Sequence, residues 1–292
     1  MRGNPEAHRL IAPGTLAGVL ELMAREPGAW TPMAGGTELM VAFSAGRLTA
    51  PKLVSLWGIP DLRFIETTPA TVVIGAGTTF LDMRARPILS AELPLVARAS
   101  GWIGSIANQS RATLGGNLAN GSPAADSSPT LLVYDAEVEL ISARGRRRIP
   151  YPAFHIGYKR TAIAADELLF AVHLPRCFAA HRQYLRKVGT RRAMAISKVA
   201  LAATARLEGD IVREIRLAAA SLAPVPARLV KTEAALLGKP VSRETLLAAR
   251  AALLEEAAPI DDIRSTAEYR RQVAVNLLEE FLLELRRESV RR

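Results

Sequence analysis

Three glycine-rich segments constrain this chain more than any other feature, and each follows a short apolar or β-branched run or a helix-like stretch. The first is Gly35-Gly36-Thr37, after Trp30-Thr31-Pro32-Met33-Ala34. The second is Gly75-Ala76-Gly77-Thr78-Thr79, after the strand-like stretch 72–74. The third runs from Thr113 through Leu114, Gly115, Gly116 and Asn117 to Ala119-Asn120-Gly121-Ser122-Pro123-Ala124-Ala125-Asp126. A strand that ends in a tight turn points several backbone N–H groups at one spot, and glycine lets that backbone come close to a phosphate. The first two turns, each with threonine nearby, suit a diphosphate. Neither is a Walker loop, because GxxxxGK[ST] is absent; neither is the GxGxxG fingerprint, because Phe80 stands where the third glycine belongs. Taken alone, Gly35-Gly36-Thr37 is as consistent with a structural turn as with a ligand site. The third segment is more specific; the alternative role for Asn117, Asn120 and Asp126 is to cap their own turns.

Composition narrows the classes. The 292 residues are 49% hydrophobic and 23% charged, a soluble globular balance that excludes wholesale disorder. No apolar run reaches the roughly 20 residues of a membrane helix. The N-terminal stretch MRGNPEAHRLIAPGT has no apolar core of a secretory signal, so the cytoplasm is the expected location. Cys177 is the single cysteine, which excludes an internal disulfide or a cysteine-held cluster, and the four histidines lack metal-ligand spacing. Of the net charge of +10, residues 181–292 carry +7. Nucleic acid is not the expected partner, since no zinc-finger or ribonucleoprotein motif is present and only 5% of residues are aromatic. Acidic small molecules or acidic partner subunits fit the basic C-terminal part better, with Arg286, Arg287, Arg291 and Arg292 as the expected contacts of a partner.

The pattern along the chain predicts a helix over 16–25, with Leu16, Leu20 and Met23 on one face, and a helix from Glu38 onward. Strands are expected at 53–56, 72–74, 137–141 and 168–174, a helix at 94–106, an irregular segment at 113–126 and a basic turn at 144–148. A composition shift at 175–180 marks a boundary. Beyond it, 200–207 and 211–220 read as a hairpin around Glu208-Gly209-Asp210, followed by helices at 229–237, 245–256 and 266–285. The last carries the stripe Ala274, Leu277, Leu278, Phe281, Leu282 and Leu285.

These residues carry a resemblance. Pro32-Met33-Ala34-Gly35-Gly36-Thr37-Glu38-Leu39, Gly75-Ala76-Gly77-Thr78-Thr79, the 113–126 segment, Arg186-Lys187-Val188-Gly189-Thr190-Arg191-Arg192 with Ala195-Ile196-Ser197-Lys198-Val199, and Asp261-Asp262-Ile263-Arg264-Ser265-Thr266 with Tyr269-Arg270-Arg271 occur in this order. In this the chain resembles the FAD-binding medium subunit of the molybdenum hydroxylases, such as carbon monoxide dehydrogenase and xanthine dehydrogenase. The resemblance implies an α+β fold: a two-subdomain PCMH-type FAD-binding domain over 1–178, split near residue 56 into 1–56 and 57–178, and a C-terminal α+β domain over 179–292 with a small antiparallel sheet.

The resemblance also implies roles. Pro32, Met33, Ala34, Gly35, Gly36, Thr37, Glu38 and Leu39 wrap the FAD diphosphate through backbone N–H groups. Thr113, Leu114, Gly115, Gly116 and Asn117 approach the diphosphate or ribityl chain from the other subdomain. Asp126 binds the adenosine side of the cofactor, with capping of the helix near Pro129 as its alternative. Leu169 flanks the flavin, and Lys187 lies near the isoalloxazine ring, with a surface charge as its alternative. Ile103 is aliphatic where xanthine dehydrogenase has an aromatic side chain against the flavin. Arg191 and Arg192 have no assigned role. Trp57 and Trp102 are expected in the core, Trp30 in the core or at the cofactor, and Cys177 in a structural position. Asp261, Asp262 and Arg264 are expected to hold the last helix.

The function so implied is electron transfer within an oxidoreductase. A large partner carries the molybdopterin cofactor, a small partner carries [2Fe–2S] clusters, and FAD on this chain passes electrons to NAD⁺, oxygen, a quinone or another acceptor. The assembly would be a heterotrimer, possible as a dimer of heterotrimers, with no membrane insertion. Two other readings compete. One is a self-contained flavin oxidase or reductase with covalent FAD, against which no His or Cys lies in the glycine turns. The other is an assembly subunit without FAD, against which the phosphate turns are intact.

Overall fold

In the computed structural model residues 3–289 are described. The Thr15 hydroxyl accepts the Gly18 N–H and starts α1 (Leu16–Arg25), which buries Leu16, Val19, Leu20 and Met23, the face its spacing predicts. Strand β1 (Arg9–Ile11) precedes it; β2 (Thr31–Met33), α2 (Leu39–Ser44) and β3 (Lys52–Ser55) follow. Strand β3 lies between β1 and β2 and is parallel to both. Parallel neighbours need crossovers, and α1 and α2 supply elements of these. Because Met33 sits opposite Ser55, the segments that follow β2 and β3 leave the sheet at the same edge.

The middle of the chain forms an antiparallel sheet and six helices. The strands are β4 (Ile65–Thr67), β5 (Thr71–Gly75), β6 (Glu137–Ser142), β7 (Gly145–Pro150) and β10 (Leu168–Pro175), in the order β4-β5-β10-β6-β7; β8 (His155–Gly157) and β9 (Arg160–Thr161) make a separate hairpin. The helices are α3 (Phe80–Arg84), α4 (Pro87–Glu92), α5 (Pro94–Ser100), α6 (Ile106–Gln109), α7 (Leu114–Ala119) and α8 (Ser128–Val133). The helix expected over 94–106 is therefore two, because Gly104 turns left-handed at φ 54° between them. The segment expected to be irregular over 113–126 contains α7. The expected basic turn at 144–148 is largely strand: β7 pairs with β6, Arg146 and Arg148 bridge to Glu139, and Arg147 bridges to Glu167. Cross-strand carboxylates and an edge position let a run of arginines be a strand.

Trp30 is buried in the core of the first sheet. Trp102 is half-buried against the second core. Trp57, expected in a core, is 37% exposed, because its indole is covered by the Arg111 guanidinium instead of by apolar side chains. Cys177 is exposed on the connection between the second and third sheets.

The Tyr151 hydroxyl donates to Ser128 Oγ at 2.7 Å and lies 2.9 Å from His155 Nε2. Burial lowers His155 from 6.5 to about 4. The folded chain thus refuses a proton that the unfolded chain takes up, so this contribution is present above pH 6.5 and lost as pH falls toward 4. His155→Gln is expected to flatten the pH dependence of stability across that window. Denaturant midpoints measured through it check the slope, and an unchanged slope contradicts the assignment.

The C-terminal part is a four-stranded antiparallel sheet, β11 (Arg182–Val188), β12 (Val199–Glu208), β13 (Ile211–Ala220) and β14 (Ala227–Arg228), in sequential order, with α9 (Val230–Leu236), α10 (Arg243–Glu256) and α11 (Ala267–Ser289). Both faces of β12 are covered. Leu201, Ala203 and Ala205 join Leu278, Phe281 and Leu282 of α11, whereas Ala202 joins Ala218, Leu185 and the core of the middle sheet. That explains why Val199-Ala200-Leu201-Ala202-Ala203 reads as a continuous apolar run and not as an alternation. The whole expected stripe of α11 is buried. The Asp261 carboxylate accepts the Ala267 N–H at the start of this helix, and Asp262 pairs with Arg264 and Arg270 at 2.8 and 2.7 Å. Arg286 and Arg287 lie in its last turns; Arg291 and Arg292 lie outside the described residues.

Candidate functional site

The first glycine turn leaves the parallel sheet at the carboxyl ends of its strands, the edge at which α/β sheets receive ligands. Pro32 and Met33 close β2; Ala34, Gly35, Gly36 and Thr37 form the half-buried turn; exposed Glu38 precedes α2 and half-buried Leu39 begins it. Gly36 has φ 73°. Among the described residues, no acceptor meets the N–H groups of Ala34, Gly35, Gly36, Thr37 or Glu38. Such a row of open donors is a concave dipole suited to anionic oxygens. Gly35 lies against the segment before α7: a Cβ there would fall 1.7 Å from the Arg111 carbonyl oxygen. The structure thus sets the first glycine turn against the backbone just before the third segment, with no room for a side chain between them.

The second turn differs from the expectation of a second diphosphate cradle. Its N–H groups are all engaged: Gly75 with the Phe64 carbonyl, Ala76 with Phe170, Gly77 with Leu62, Thr78 with Gly75, and Thr79 with the Asp82 carboxylate. Its carbonyls hold α7 in turn, since Leu114 N–H donates to Thr78 at 3.0 Å and Gly115 N–H to Ala76 at 2.8 Å. A Cβ on Gly115 would lie 2.6 Å from Ala76 Cβ. This turn is a brace, and its glycines serve close packing. Sequence alone cannot separate the two uses, because both require small residues after a strand.

The third segment is partly consumed by the same brace. Thr113, Leu114 and Gly115 are buried, and Thr113 Oγ1 accepts the Gly116 N–H at 3.1 Å. Gly116 is exposed and Asn117 half-buried. Asn117 Oδ1 accepts from Ser127 Oγ at 2.6 Å, which ties α7 to the residue after Asp126.

Asp126 and Lys187 form a buried ion pair. Asp126 also accepts from Ser197 Oγ, and Lys187 donates to the Trp102 carbonyl at 3.4 Å. Burial raises the Asp126 carboxyl above its usual range, and Lys187 and Ser197 offset only part of that. Asp126 does not cap α8, and Lys187 is not a surface charge. The resemblance assigned them to opposite ends of the cofactor; their direct contact places both at one locus, which no extended dinucleotide spans from end to end. Ile103, next to Trp102 in sequence, is half-buried against the middle core. Leu169 on β10 is buried opposite Leu140 in the core that holds Leu114 and Leu118. Ser197 and the Trp102 carbonyl were absent from the sequence-derived site; the polar residue inside the Ala195-Ile196-Ser197-Lys198 block was the available signal. Arg191 and Arg192 lie on an exposed loop, where Arg191 bonds the Met194 carbonyl at 2.7 and 3.1 Å.

A small parallel sheet beside an antiparallel sheet, with a turn of open N–H groups as a candidate anion cradle, defines the class as an α+β protein. The chain belongs to the FAD-binding flavoprotein family of the molybdopterin dehydrogenases, an oxidoreductase family. Residues 6–177 match the family described as FAD binding domain in molybdopterin dehydrogenase, and residues 184–285 match the CO dehydrogenase flavoprotein C-terminal domain. The chain is 32% identical to the xanthine dehydrogenase FAD-binding subunit of Escherichia coli O157:H7 over 88% of each chain. It is 30% identical to the carbon monoxide dehydrogenase medium chain of Hydrogenophaga pseudoflava over 86% of this chain and 87% of that one. The solved carbon monoxide dehydrogenase of Hydrogenophaga pseudoflava, in a form lacking the Mo-pyranopterin moiety, superposes with TM-score 0.90 at 28% identity, covering 95% of this chain and 96% of that one. No helix among the described residues is long and apolar enough to cross a membrane.

Proposed function

We propose that this chain is the flavin subunit of a molybdenum hydroxylase, placed between partner iron–sulfur clusters and an external electron acceptor. The observation that carries the reading is the row of open N–H groups from Ala34 to Glu38 beside the Arg111–Ala112 backbone. Bound FAD supplies chemistry that accepts electrons singly or in pairs. This chain's own part is to grip and orient the cofactor: residues 32–39 hold the diphosphate, and Gly116 and Asn117 line the approach from the second subdomain. The Asp126–Lys187 pair ties the third sheet to the segment that follows α7. A large molybdopterin-binding subunit and a small [2Fe–2S] subunit complete the assembly, as a heterotrimer and its dimer, in the cytoplasm. The working division is 1–56 and 57–178 for the FAD-binding domain, with 179–292 as the C-terminal domain.

Purification of the chain from its native host tests this. Expected are one FAD per chain by absorbance and extraction, with molybdenum and iron co-purifying. Partners without flavin would leave an assembly subunit instead, and flavin with intrinsic turnover and no partner would leave a self-contained oxidase.

A further inference from the structure

The open N–H row provides dipoles but no full positive charge, and the one ionisable side chain in the turn, Glu38, is anionic. A diphosphate is an anion with several charged oxygens, so a cradle of dipoles beside a carboxylate leaves it under-compensated. The residue whose carbonyl abuts Gly35 is Arg111. Its guanidinium lies on the Trp57 indole, 3.7 Å from the ring centroid. Trp57 follows β3 at the sheet edge from which the glycine turn also departs. Among the described residues, Arg111 has no carboxylate partner and no side-chain hydrogen bond; its guanidinium rests on the indole. Arg63, 6.0 Å from the same ring, is by contrast held by Asp82 at 2.8 and 2.9 Å. Stacking uses the face of a guanidinium and leaves the N–H edge free to donate. A long side chain so seated has lost much of its rotamer freedom before any ligand arrives.

We propose that Arg111, seated on Trp57, is a diphosphate-binding residue of the flavin site, donating from its guanidinium edge to the cofactor's phosphate oxygens opposite the 34–38 turn. Trp57 is the positioning residue that holds it. This rests on the chain being an FAD carrier. The test is FAD titration of the full chain in its complex after flavin removal, at low and high salt. Arg111→Gln should weaken FAD binding about tenfold or more and make the affinity less dependent on salt. The thermal midpoint of the flavin-free protein should stay where it is, since Arg111 is exposed. Trp57→Leu should shift affinity in the same direction by a smaller factor. Unchanged affinity in Arg111→Gln overturns the proposal, and so does weakened affinity with an unchanged salt dependence, which marks a merely structural role. Wild-type affinity in Trp57→Leu overturns the seating by the indole. A wild-type complex that binds no FAD would instead overturn the flavin-subunit reading.

Discussion

Gly35→Ala is expected to lose most of its bound flavin and about 3 kcal/mol of stability, the upper end of what overpacking a close contact costs. A methyl group there would lie 1.7 Å from the Arg111 carbonyl oxygen and 2.4 Å from its carbon. These are backbone atoms, so no rotamer change relieves the clash. The turn must lift off the segment before α7, which opens the cradle and pulls the N–H row away from its facing wall. Gly157→Ala, in the β8–β9 hairpin, is the control: a Cβ there meets only Arg160 side-chain carbons, at 3.9 and 4.0 Å. Flavin per chain and the urea midpoint of both variants check this. Equal retention of flavin in Gly35→Ala would show that the two segments need not touch.

Lys187→Met is expected to cost about 3–5 kcal/mol, because it strands a buried carboxylate with Ser197 as its remaining side-chain donor. The pH dependence follows from Asp126. Burial already holds its carboxyl above the usual range. A raised folded-state value means that the folded chain binds the proton more tightly, so this contribution is complete in acid and is lost as pH rises through that value. Removing the ammonium raises the carboxyl further. The penalty should therefore be full where the carboxyl is ionised and shrink as pH falls and it takes up its proton. Asp126→Asn combined with Lys187→Met should recover most of the loss, the signature of a direct pair. Denaturant unfolding of the wild type, Lys187→Met and the double variant across a pH series measures it. A penalty that grows in acid would contradict the direction given for Asp126.

Much of the architecture is legible in residue order. Leu16, Val19, Leu20 and Met23 follow helical spacing because one face of α1 meets a core, and the α11 stripe has the same cause. Glu208-Gly209-Asp210 sits between two long apolar runs, and β12 and β13 pair around it. Failures occur where a distant partner overrides local pattern. Arg144 to Arg148 reads as a turn until Glu139 and Glu167 stand opposite. Trp57 reads as core until Arg111 covers it.

The sequence by itself determined the family, through five motif blocks in fixed order, and with it the fold class. Only the tertiary structure decided which glycine turn keeps its N–H groups open. Gly35-Gly36 and Gly75-Ala76-Gly77 obey the same local rule, since both follow a strand and both need small residues. What separates them is whether carbonyls from elsewhere in the chain, at Leu62, Phe64 and Phe170, arrive to accept their protons. The contact of Asp126 with Lys187, 61 residues apart, belongs to the same category: local propensity carries no record of it, and the packing of the third sheet on the second creates it.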